Sequence, residues 1–155
     1  MPLPLLKTIH LIGVILFIGN IVVTALWKVM ADRTRDIAVI RFATRMVNLT
    51  DVLFTAGGVA LLLGAGHAMA PSYGGVMAAK WILWSYALLA GTGLIWIFLL
   101  LPIQITQSRL LKSLGPQEEI PARYWALSRW WAVAGAIATV LPLPAIYLMV
   151  VKPVL

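Results

Sequence analysis

The chain has no cysteine, five acidic residues and two histidines among its 155 residues. The missing cysteine excludes disulfides, thiolate metal sites and iron–sulfur clusters. With charged residues at only 11%, against about a quarter in an ordinary soluble domain, a water-exposed globule of this size is excluded as well. No paired carboxylates, phosphate-binding loop or nucleophile–base arrangement occurs. The excess of positive charge, +7, belongs to loops and not to a nucleic-acid surface.

What is present is apolar. Hydrophobic residues make up 62% of the chain, and the mean hydropathy is +0.97. About 20 apolar residues cross the hydrocarbon, and four stretches qualify, at about 5–27, 50–70, 76–101 and 126–151. The expected fold is all-α, a polytopic bundle of four transmembrane helices forming one domain over 1–155. The opening "MPLPLLK" has no basic region leading to a cleavage site, so the first run reads as a retained span.

"APSYGG" at 70–75 predicts a tight turn that makes the second and third spans antiparallel neighbours. Residues 28–49 carry a mixed helical pattern, read as an interfacial helix or an extension of the second span. Residues 103–125 include the hydrophilic turn "SLGPQEEIPARYW". Asn48, Thr50 and Asp51 precede "VLFTAGG" and read as caps of the second span at the interface. Asn20 is placed to bond across helices, and Pro142 with Pro144 should bend the fourth span.

Nine of the lysines and arginines lie in or beside the first and third connections; Lys7, Lys80 and Lys152 flank the other side. The positive-inside rule puts both long connections in the cytoplasm and both termini outside. Trp27, Trp125, Trp130 and Trp131 would belt the inner interface, and Tyr73, Trp81, Trp84 and Tyr147 the outer one.

Both histidines interrupt apolar runs, His10 in "LLKTIHLIGV" and His67 in "LLLGAGHAMA". The first span runs inward and the second outward, so both lie near the outer end, roughly 5–10 Å inside it. Lys80 and Lys152 arrive at the same end. Imidazoles on two helices can sandwich haem iron, and lysines at the boundary can neutralise propionates. The His10 face continues through Gly13, Phe17, Asn20 and Thr24; the His67 face runs back through Gly64, Ala60 and Gly57. Gly13 and Gly64 thus make room either for a flat ring or for close helix packing. A copper site of His67, Met69 and Met77 matches no demanding spacing.

"LLKTIHLIGVILFIGN", "AAKWILW" and "IYLMVVKP" resemble the HemJ-type protoporphyrinogen oxidases, small bacterial membrane proteins that bind haem b. That resemblance implies His10 and Lys80 as the key functional residues, with Lys80 catalytic. Gly19 also matches, whereas the tryptophan and Leu-Pro-Arg segment of that family do not. "GNIVVTALWKVMADR" and "NLTDVLFTAGGVALLL" look closer to an uncharacterised four-helix bacterial membrane family related to the copper-resistance D-type proteins.

The functional expectation is a redox protein of the bacterial inner membrane holding one haem b. His10 and His67 would ligate iron, and Lys80 would compete for it or pair with a propionate. A quinone or porphyrinogen would be the partner, and a homo-oligomer is compatible with it. The alternative is a cofactor-free accessory or assembly subunit.

Overall fold

The computed structural model describes residues 1–115 and 118–153. Four helices in it are long and apolar enough to cross a membrane: α1 (Leu3–Thr34), α2 (Ile37–Tyr73), α3 (Lys80–Ser113) and α4 (Ala122–Val151). No strand occurs among the described residues.

At the basic end each helix outlasts its hydrophobic run, because hydropathy marks the hydrocarbon boundary and not the end of the hydrogen-bond ladder, whereas α3 begins at Lys80 and not near residue 76. The largest difference is at α2, which begins at Ile37 and not near residue 50. Of the two readings of residues 28–49, the extension of the second span is the one found. Arg35 takes a left-handed conformation (φ 55°) that ends α1. Asp36 then caps α2, its Oδ1 accepting from the backbone N–H of Ala38 and Val39 at 2.7 and 3.2 Å. Arg41 ties this extension to α3 by donating to the Leu111 and Leu114 carbonyls.

At the opposite end, Gly74 and Gly75 adopt φ of 88° and 93°, which only glycine takes without strain. They close the turn that "APSYGG" predicts. Pro142 interrupts α4 at Leu141. The hydrophilic turn after Ser113 includes Pro116 and Gln117, which lie outside the described residues.

The closest helix crossing joins α1 to α2 through Gly13 and Gly58. A Cβ on Gly13 would lie 2.6 Å from the Leu62 backbone nitrogen, and one on Gly58 would lie 2.8 Å from that of Phe17. Glycine is required there by backbone contact. Gly57 and Gly64 have nothing within 4 Å of such a Cβ, so the second glycine strip faces outward.

Both aromatic belts need correction in part. Trp27, Trp130, Trp84 and Tyr147 are exposed, as anchors would be. Trp131 is instead buried in a core with Val47, Leu100, Ala134 and Ala138. Tyr73 and Trp81 pack edge to face, 5.5 Å apart, inside the bundle mouth.

Candidate functional site: a cavity at the histidine end and a polar core at the basic end

A cavity of about 330 Å³ opens among all four helices at the end that carries both histidines. His10, Val14 and Phe17 of α1, Leu62, Gly66 and Met69 of α2, Ile82, Ser85 and Tyr86 of α3, and Pro142, Ile146 and Met149 of α4 contribute to its wall. The break at Pro142 therefore shapes this space. Lys7 and Lys152 also line it. The Lys152 ammonium lies 4.6 Å from the Tyr73 ring centroid and 3.5 Å from its hydroxyl.

His10 Nδ1 is 2.7 Å from the Leu62 carbonyl oxygen. A carbonyl only accepts, so Nδ1 must carry the proton, and a neutral His10 keeps its lone pair on Nε2. The ring also lies against Gly66, where a Cβ would be 3.2 Å from its Cε1 and Nδ1. Gly66 thus makes room for the His10 ring itself, whereas Gly64, expected to make room for a flat ring or for close packing, faces open space.

The structure separates the other expected site residues from His10. His67 is exposed on the outward face of α2 with Gly64, and is not part of the cavity wall. Its Nδ1 lies 3.3 Å from the Tyr86 hydroxyl, which places it beside the cavity rim. Lys80 is the first residue of α3, exposed and outside the wall. Gly13 acts at the helix crossing. Met77 is 81% exposed while Met69 is buried, and His67 and Met77 do not share the cavity wall with Met69. No group of three or more histidines and acids that could hold a metal occurs among the described residues.

The sequence reading missed a second polar constellation. Asp51 does not cap α2. It is 6% exposed, in the middle of that helix. Its Oδ1 accepts from Asn20 Nδ2 at 3.0 Å and Thr55 Oγ1 at 3.1 Å. Its Oδ2 accepts from Gln104 Nε2 at 2.8 Å and Trp96 Nε1 at 3.4 Å. Three helices therefore converge on one carboxylate. Both α2 at Asp51–Ala56 and α3 at Trp96–Leu100 wind there as a π-turn. The wider turn rotates the residues that follow it and is frequent at functional sites.

Nearer the basic end, the Lys28 ammonium is 2% exposed and contacts both Asp32 oxygens at 2.8 and 2.6 Å. It also donates to Tyr124 Oη at 2.8 Å and Ser128 Oγ at 3.3 Å, and Gln107 Nε2 donates to the same Ser128 oxygen at 2.8 Å. The signal for all this was periodic spacing. Asn20, Thr24 and Lys28 recur every fourth residue on α1, and Thr44, Asn48, Asp51 and Thr55 share one face of α2.

Fold and sites together define a polytopic four-helix membrane protein with an apolar cavity at one end and a hydrogen-bonded polar core towards the other. The chain belongs to the family described as predicted integral membrane protein (DUF2269), which it matches over residues 4–153. No curated protein and no solved structure matches it.

Proposed function

We propose that this protein is a redox protein of the bacterial inner membrane that binds haem b in the histidine-end cavity, where His10 would hold its iron. The carrying observation is the 2.7 Å contact from His10 Nδ1 to the Leu62 carbonyl. Iron-binding histidines characteristically donate their other ring nitrogen to such an acceptor, which fixes the tautomer and makes the free nitrogen more basic. The apolar wall suits a porphyrin, and Lys7 with Lys152 are placed to meet its propionates.

At about 330 Å³ the space is at the small end for a ligand site, so the helices would have to part to admit a whole porphyrin. Bound haem would supply one-electron chemistry towards a lipid-soluble partner, a quinone or a porphyrinogen. The protein's own residues hold the imidazole, exclude water and present cations at the mouth. By the positive-inside rule the basic end faces the cytoplasm and the cavity the outside; reporter fusions at residues 28–49 and 103–125 should read as cytoplasmic, and fusions at both termini as external.

Detergent-purified protein expressed with ample haem should show a b-type visible spectrum, and His10→Ala should lose most of it, with partial recovery on adding imidazole. A colourless wild-type protein would overturn the reading in favour of a cofactor-free accessory subunit. The finer, HemJ-like reading has its own test, rescue of a strain lacking protoporphyrinogen oxidase. No rescue by well-expressed protein would remove that reaction and leave haem binding standing.

A further inference from the structure

The polar core at the basic end is more than a set of helix-to-helix bonds, because several of its buried polar atoms bond to nothing in the protein. Asn48 Oδ1 and Gln107 Oε1 find no hydrogen-bond partner among the described residues, nor does the Trp131 Nε1 donor. Gln107 is 0% exposed. Burying an unpaired amide or hydroxyl costs free energy that membrane surroundings cannot return. Acceptors and a donor without protein partners, on three packed helices, are the surroundings in which internal water is held.

These atoms lie on a course between Asp51 and the basic end. Gln104, which bonds Asp51, is one turn from Gln107 on α3. Gln107 bonds Ser128, Ser128 bonds Lys28, and Lys28 bonds Asp32 near the end of α1. On α2 the same course passes Asn48 and Thr44. At its inner limit Asp51 meets only neutral groups: Asn20 from α1, Thr55 of its own helix, and Trp96 and Gln104 from α3. The charged groups, Lys28 and Asp32 of α1 and Arg41 of α2, bond closer to the basic end, with Tyr124 of α4 among them. An ionisable group within a span is functional by default, and this one has no ion-pair partner.

We propose that Asp51 is a proton-binding site reached from the basic end through a hydrated polar column formed by Thr44, Asn48, Gln104, Gln107 and Ser128. The proton leaves a hydronium ion at that end, breaking an O–H bond to leave water, and forms an O–H bond on an Asp51 carboxylate oxygen; it returns to water the same way when the pH there rises. No electron moves and no other bond breaks. No fixed cation locks the carboxyl in its ionised form, and on protonation Oδ1 can donate to Thr55 Oγ1, whose hydroxyl turns from donor to acceptor. The proposal stands whether or not His10 binds haem.

The test uses the full chain, uniformly oriented in vesicles of phosphatidylcholine and phosphatidylglycerol. Infrared difference spectra are recorded after a pH step on one side. A protonated-carboxyl C=O band should appear on acidifying the basic-end side, shift in D2O, and be missing from Asp51→Asn. Because that variant removes acceptors and can fail to fold, Gln107→Leu and Thr44→Val are measured with Asp51 intact; each should keep the band and slow its appearance severalfold. Three results overturn the proposal: no wild-type carboxyl band responds to the pH step, the band responds only from the histidine end, or its rate is unchanged in both column variants.

Discussion

The two halves of this bundle are specified by different physics. At the histidine end the helices diverge around an apolar cavity, and the contacts of His10, His67 and Lys152 are single and peripheral. Towards the basic end, side-chain hydrogen bonds knit α1, α2 and α3 around Asp51, and α1, α3 and α4 around Lys28. Lipid is as apolar as leucine, so burying apolar side chains does little to hold helices together in a membrane. Close packing and polar bonds must do it. The half rich in both is the frame, and the half poor in them is free to carry a ligand. The Gly13–Gly58 crossing lies between the two.

The largest effect separating the halves should come from Asp51→Ala. It strands the buried Gln104 donor and the half-buried Trp96 donor and leaves Asn20 only its bond to Thr55, each unpaired buried donor costing about 1–3 kcal/mol. Relaxation recovers part of that, and a net loss of roughly 3–5 kcal/mol is expected. His10→Ala at the other end frees one carbonyl beside a cavity and should cost about 1 kcal/mol. Reversible unfolding in mixed detergent micelles measures both. Comparable losses would erase the distinction between frame and ligand site.

That contrast also sets what was legible in the sequence. The four spans were, because bilayer thickness is written into the length of each apolar run. The Gly-Gly turn and the Pro142 break were too, through backbone chemistry that few other residues share. Asp51 was misread because an Asx residue just before an apolar run has the composition of an N-cap. Starting the second span near residue 50 made that reading natural. Once Asp36 is seen to cap α2, Thr44, Asn48, Asp51 and Thr55 fall on one face, and the acid is interior. His10 and His67 were placed at the same end from helix directions alone. Depth along a helix carries no information about rotation around it, and rotation is what puts His10 in the cavity wall and His67 outside it.

A smaller effect tests the crossing. Gly13→Val would push side-chain atoms into the α2 backbone at Leu62 and Gly58, for a loss of about 1–3 kcal/mol by overpacking. Helix separation should also distort the cavity, so haem retention and stability should fall together. Gly64→Ala is the control: the added methyl meets nothing, and exchanging glycine for alanine within a helix is neutral or favourable by up to about 1 kcal/mol. If Gly64→Ala proved as damaging as Gly13→Val, the outward-facing strip would have to be covered by a second protein surface.

The smallest effect is expected at the two residues that the sequence brought to His10 and the geometry sets apart. His67 is exposed, with its Nδ1 near the Tyr86 hydroxyl, and Lys80 is exposed at the start of α3. Neither lines the cavity, so His67→Ala and Lys80→Ala should each leave stability unchanged within about 0.5 kcal/mol. They should also leave the haem content and the spin state of the wild-type spectrum unchanged. A second residue holding the iron, if the spectrum is low-spin, would then have to come from the wall itself, where Met69 and Met149 carry thioethers. A switch to high-spin haem in His67→Ala would mean that α2 rotates on binding to turn His67 inward. Tyr86→Phe separates these cases, because it removes the hydroxyl beside His67: rotation should become easier and haem binding tighter, whereas a ligand set within the wall should not respond.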